Sequence, residues 1–178
     1  MEKQPQSLFL SIPLKKADKI KWTPVLLAYI IMCYAEEGKK YEADCELLDS
    51  LRNLALSQTT NDPLGLEDLS IYFNQLTFLG SRFPLNLNFH IGWFPILQPN
   101  QKPEIISNLN YEKCCVLYRM AGMYSELGSL QNTMSTESTR KACQYFQVSK
   151  KCGQRKGKGP ALTNIPVECR RMFEIYTV

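Results

Sequence analysis

Glu112, Arg119 and Glu126 recur every seven positions between Asn110 and Gly128, and Val116, Leu117, Met120, Met123, Tyr124 and Leu127 fill much of the space between them. In a helix the three charged residues fall on nearly one line and leave apolar side chains on the other faces. The pattern predicts a helix wetted along one narrow stripe and sandwiched between neighbours on at least two sides. Such a helix belongs in the middle of a helical stack.

Other segments carry their own periods. Leu8 to Leu14 reads as a short extended segment, held to a sheet edge by Pro13, which cannot donate to a ladder. Thr23-Pro24 predicts a cap and first helical position for an apolar helix running to about Ala35, stopped by Glu36-Glu37-Gly38. A second helix is expected over about Lys39 to Ser57, with Tyr41, Cys45, Leu48, Leu51, Leu54 and Ala55 inward and Glu42, Glu46 and Asp49 on a solvated face. Leu66 to Gly80 gives a third helix, with Leu69, Tyr72, Phe73, Leu76 and Leu79 inward.

From Phe83 to Trp93 the period changes to two, with Leu85, Leu87, Phe89 and Ile91 alternating against Asn86, Asn88 and His90. That is a half-buried strand, expected to pair with the N-terminal extended segment in a small antiparallel sheet. The proline-rich loop Pro95 to Pro103 leads into the central helix, which Gly128 ends. After a turn over Ser129 to Thr133, Ser135 or Thr136 caps a last helix with Ala142, Cys143 and Phe146 on one side. The last two helices form an antiparallel hairpin of tetratricopeptide type. The fold class is therefore mainly α, with a small antiparallel sheet.

Charge divides the chain. Residues 1–147 hold 14 basic and 15 acidic side chains, whereas residues 148–178 hold 7 basic and 2 acidic, so the net +4 comes from the tail. The tail's Arg155 to Pro160 run is glycine-lysine rich and reads as flexible coil, with order expected to end at Gln147. Residues 1–6 are expected to be disordered as well. The longest apolar run, Val25 to Cys33, is far short of the roughly 20 residues that span a bilayer, and the first residues carry no apolar core of a secretory signal.

Seven cysteines without a two-residue spacing, in a chain without export features, read as reduced, buried thiols. Adjacent Cys114 and Cys115 point about 100° apart on a helix and do not grip one metal together. His90 is the sole histidine, which excludes the usual zinc hydrolase and Ser-His-Asp sites and leaves it structural or solvent-facing. No cysteine is followed six positions later by arginine, and Gly153 to Gly159 lacks the strand and Gly-Lys-Ser/Thr ending of a phosphate loop. Glu36, Glu37, Glu67 and Asp68 read as helix-end and surface carboxylates. No catalytic residue, cofactor site or metal site is expected.

In order along the chain, Leu8 to Lys15, Leu51-Arg52, Tyr72 to Leu76, Phe89 to Trp93 and the block Tyr-Glu-Lys-Cys-Cys-Val-Leu-Tyr at 111–118 resemble the N-terminal part of a Bro1 domain. Ser125 to Gly128 and Lys141 to Gln147 look closest to the animal His-domain tyrosine phosphatase branch, with the ALIX branch and fungal Bro1 proteins next. The likeness covers about residues 7–147. It implies a curved helical domain with a tetratricopeptide-like core, and a cytoplasmic, endosome-associated scaffold of the ESCRT pathway and multivesicular-body sorting. The family binds the C-terminal amphipathic helix of the Snf7/CHMP4 subunit of ESCRT-III, helix in groove. No catalysis is implied, since the phosphatase domain of that branch lies beyond any residue here.

Bro1 domains are much longer, and the patch that receives the ESCRT-III helix is built largely by later helices, so no partner-binding residue carries over. The chain is thus expected to be a truncated, impaired Bro1 domain. Gln147-Val148-Ser149 can be encoded as an exon end followed by a splice donor, so residues 148–178 are expected to be translated intron or an alternative exon. Truncation would leave some of Val116, Leu117, Met120 and Met123 partly in water and the chain marginal or sticky. The alternative from another class is an independent helical module whose basic tail binds anionic membrane or RNA.

Overall fold

Asn108 starts the central helix: in extended backbone, its side chain accepts a hydrogen bond from the Asn110 amide. This helix, α4, runs Leu109–Ser129, and the rest of the fold is arranged around it. The computed structural model describes residues 11–57, 63–87, 89–96, 101–131 and 134–154. Before α4 come α1 (Thr23–Tyr29), continued by a π-helical turn (Ile30–Tyr34), then α2 (Glu42–Ser57) and α3 (Pro63–Arg82). Two short strands follow, β1 (Ile91–Trp93) and β2 (Glu104–Ile106), and α5 (Thr136–Gln154) comes after α4. The mainly α fold with a small antiparallel sheet is the one the periodicities predict.

Helix α4 packs against α3, α5 and β1. The predicted sandwich is real, but its polar stripe is not wet. Glu112 is 0% exposed and Arg119 3%, and only Glu126 reaches partial exposure. The stripe turns inward because partners from distant segments meet it there. Arg119 donates to the carbonyls of Lys15 (2.9 Å) and Leu56 (3.1 Å), tying the N-terminal segment and the end of α2 to α4. Val116, Leu117, Met120 and Met123 are all buried, contrary to the expectation that some would lie partly in water. At Gly122 the backbone comes so close that a Cβ would sit 2.8 Å from Leu14 Cδ2 and 3.3 Å from the Ile12 carbonyl oxygen.

Strand pairing joins the N-terminal segment to the sheet as expected, but at a different register. Ala17 bridges Trp93, with Asp18 N donating to Gly92 O and Phe94 N to Lys16 O, each at 2.9 Å. Residues 8–10 lie outside the described residues, and Ile12 N instead donates to Ser125 Oγ on α4. The predicted strand Phe83 to Trp93 shrinks to Ile91–Trp93, paired antiparallel with β2. Its alternation of burial survives without a ladder: Leu87 and Ile91 are buried while Asn86 and His90 are exposed.

The first helix departs from prediction at both ends. Trp22, not Thr23, occupies the cap, and Ala35 stops the turn in left-handed backbone (φ 53°). The orphan amides at its start are met by Asp49 of α2, which accepts from Trp22 N (2.5 Å), Thr23 N (3.3 Å) and Thr23 Oγ1 (2.7 Å). Asp49 was expected on a solvated face; it is a cap supplied from another helix. Asp49→Ala is therefore expected to lower stability by about 1–2 kcal/mol, as loss of a cap does, with the denaturant midpoint as the readout. Leu54, expected inward, is exposed, because Arg52 takes the inward place.

Order does not end at Gln147. Ser135 Oγ caps α5 by accepting from Ser138 N, and the helix continues seven residues past Gln147. Ser149 and Cys152 are buried, and Ser149 Oγ donates to the Ala121 carbonyl at 2.8 Å. Ala142 is buried as expected, Phe146 lies against Gly128, and Cys143 is exposed. The glycine-lysine run from Arg155 onward and residues 1–6 lie outside the described residues.

Candidate interaction surface

The densest polar cluster sits at the centre of the stack. Glu112 Oε1 accepts from Arg52 Nε (2.9 Å) and Tyr72 Oη (2.8 Å), and Oε2 from Trp93 Nε1 (2.6 Å). Trp22 Nε1 donates on to Tyr72 Oη at 3.0 Å, and Arg52 Nη1 to the Asp18 carbonyl at 3.0 Å. One carboxylate thus gathers α2, α3, β1 and, through them, the start of α1. Burial lowers the Arg52 pKa, but the charges and hydrogen bonds of Glu112 and Tyr72 together outweigh it and hold the guanidinium above its ordinary value. Burial and then Glu112 push the Tyr72 phenol well up. A carboxylate enclosed on all sides and met by three donors holds elements together and is closed to substrate.

Periodicity places Tyr72 inward on α3, as found, but it gives Arg52 no role and sets Glu112 on a wetted stripe. What the pattern of residues hid is complementarity: a cation on α2, a phenol on α3 and the Trp93 indole converge on one acid, and the Trp22 indole joins them through the phenol. Lys15 is similarly enclosed, 3.5 Å from Glu104 and 5.7 Å over the Tyr111 ring.

The surface carries an apolar groove of about 750 Å³ where the π-helical turn, the start of α2 and the end of α3 meet. Leu26, Ile30, Leu48, Leu79 and Phe83 line it, with Glu36, Asp44 and Arg82 also on its wall. Tyr29, Tyr34 and Phe83 stack in tilted and edge geometries at 5.4–6.1 Å, and Tyr34 Oη donates to the Arg82 carbonyl. Cys45 opens on the same groove, its thiol pKa raised by burial and by Asp44, so it is a poor nucleophile. Such a wall suits apolar side chains of a docked segment.

The residues weighed for chemistry stay apart. His90 is exposed, 3.2 Å from Ser107 Oγ. Cys115 is deeply buried, its thiol pushed well up by burial. Glu36 accepts from Tyr41 Oη at 2.5 Å, and Glu67 faces solvent. Among the described residues no group of three or more His, Cys, Asp or Glu could hold a metal ion. No helix among them is long and apolar enough to cross a membrane.

Comparison with known proteins adds a family. Residues 9–154 match the BRO1-like domain, which carries the likeness past Gln147. The chain is 30% identical over 141 residues to the pH-response regulator protein palA/prr-1 of Neurospora crassa, covering 79% of this chain and 16% of that protein. It is 30% identical over 148 residues to the vacuolar protein-sorting protein bro1 of Aspergillus fumigatus (81% and 15%). The human tyrosine-protein phosphatase non-receptor type 23 is 26% identical over 153 residues (84% and 9%). Among solved structures, the ALIX BRO1 CHMP4C complex is similar at a TM-score of 0.71 and 25% identity, over 82% of this chain and 44% of that one. The chain spans about a sixth of the length of these fungal relatives.

Proposed function

The chain belongs to the BRO1-like domain family, and from that membership we propose that it is a non-enzymatic scaffold of endosomal sorting whose docking on the C-terminal helix of a CHMP4-type ESCRT-III subunit, the family's mode of binding, is weakened in this chain. The observation that carries this reading is the likeness to the BRO1 domain of ALIX, a domain solved with CHMP4C on it. The relative named for vacuolar protein sorting points the same way, to work at the cytoplasmic face of endosomes. A scaffold also suits the chemistry of the molecule. Its richest polar cluster is sealed from solvent, and the groove on its surface is lined mainly by apolar side chains, which favours holding a partner helix over transforming a substrate.

The test is a titration of a labelled CHMP4C C-terminal peptide with the full chain, read by fluorescence anisotropy. Saturable binding is expected, lost when the leucines of the peptide's apolar face are replaced by serine. A flat titration overturns the reading. If the chain instead sediments with phosphatidylserine vesicles in a salt-sensitive way and ignores the peptide, the basic residues 148–178 supply the function by charge.

A further inference from the structure

The outer side of the α2–α3 hairpin carries two lines of exposed apolar side chains. On α2, Leu47 (66% exposed) and Leu54 (48%) are seven residues apart. On α3, Ile71 (42%) and Phe78 (66%) are also seven apart, and Leu64 extends the line by seven more. Scattered exposed leucines need no explanation, but a seven-residue repeat on two packed helices does.

The two lines face the same way. The start of α2 and the end of α3 line one groove, so the helices run antiparallel. On α2, Cys45 and Arg52 point to the core and Leu48 and Ala55 toward α3, which leaves Leu47 and Leu54 on the outer side at 100° per residue. On α3, Leu69 and Leu76 point to the core and Gln75 and Leu79 toward α2, which places Ile71 and Phe78 on that outer side too. Packed helices lie about 8–10 Å apart, so the lines border a shallow seam along the hairpin. From Leu64 to Phe78 the seam is about 21 Å long at 1.5 Å per residue, four turns of a partner helix.

The charges along it are mainly acidic. Exposed or half-exposed along α2 and α3 are Glu42, Asp44, Glu46, Glu67 and Asp68, against Arg82 at one end, while Arg52 is consumed inside by Glu112. Lys39 and Lys40 stand on the turn before α2. We propose that this seam docks a basic amphipathic helix of a partner protein, its apolar residues at heptad spacing between Leu47/Leu54 and Ile71/Phe78 and its lysines or arginines against the acidic flanks. The seven-residue period selects a helix over an extended peptide, and the flanking carboxylates select its charge.

The probes are two synthetic 21-residue helices with leucine at heptad positions, one flanked by lysine and one by glutamate, titrated into the full chain. The lysine peptide is expected to bind one to one and at least tenfold more tightly. Leu54→Ser with Ile71→Ser should weaken it at least tenfold with melting unchanged. Ile105→Ser, exposed on β2, should leave binding as it was. Equal binding of both peptides, survival of binding in the double variant, or equal loss in Ile105→Ser overturns the proposal. A dimer that the double variant dissolves would give the seam to a second copy. Tighter peptide binding after Lys156→Glu with Lys158→Glu would give it to the chain's own basic segment; either result also overturns the proposal. The CHMP4C titration is read separately, so failure of one reading is distinguishable from failure of the other.

Discussion

Glu112→Ala is expected to remove about 3–5 kcal/mol of stability, the range seen when one partner of a buried ion pair is deleted. Arg52, 2% exposed, keeps its charge and loses the acid that offsets its desolvation. Tyr72 Oη and Trp93 Nε1 lose their acceptor in the same step, and a buried donor left unmade costs about 1–3 kcal/mol. Against a total of roughly 5–15 kcal/mol for a domain, the variant should be unfolded or close to it at 37 °C. Urea melts followed by circular dichroism measure the difference. Two companions separate the charge from the shape. Glu126→Gln, half-exposed on the same helix, should shift the midpoint hardly at all. Arg52→Met with Glu112→Leu, which removes both charges and keeps volume, should recover the part of the loss due to the stranded Arg52 charge and leave the part due to the unmet Tyr72 and Trp93 donors. If Glu112→Ala melts like the parent, the central network does not hold the stack together.

The same residues mark the limit of what the sequence disclosed. A helix packed on several sides was legible at 109–129, because apolar residues on most faces have no other stable use. Its acidic and basic stripe was misread because charge is assigned to solvent unless a partner is near, and Arg52 lies 60 positions away in sequence. Asp49 followed the same logic, an acid on a helix surface that in fact meets the orphan amides of α1.

Strand length was overread because alternation of burial, as at Asn86, Leu87, His90 and Ile91, does not require a ladder. At the other end, α5 was cut short at Gln147. Its buried positions Ala142, Ser149 and Cys152, with half-buried Tyr145 between them, are spaced as a helix requires, but the three buried ones are small side chains that a hydrophobic period passes over. Ser149 fits there because its hydroxyl meets the Ala121 carbonyl on α4. The groove and the hairpin seam were invisible for a different reason. They are defined by what fails to be covered, and that depends on how helices pair.

Leu117→Asp places a carboxylate in the packed interior of α4. Leu117 is 2% exposed in the middle turn of α4, and Val116, Tyr118, Met120 and Ala121 around it are buried as well. Truncation of a buried leucine alone costs about 2–5 kcal/mol through lost transfer energy and cavity. The new charge adds to that cost, because it is taken out of water without the three donors that Arg52, Tyr72 and Trp93 give Glu112, and the cation one turn away on the same face, Lys113, is itself buried. The variant is expected to have no cooperative melt and to bind a hydrophobic dye at 25 °C. Leu117→Met, which keeps the volume, should stay within about 1.5 kcal/mol of the parent. The comparison with Glu112 carries the point: one helix accepts an acid at position 112 and rejects it at 117, five residues on. Side-chain polarity alone cannot explain that. A folded Leu117→Asp would mean that α4 is loosely covered at its centre, and the burial of Val116, Met120 and Met123 would lose its meaning with it.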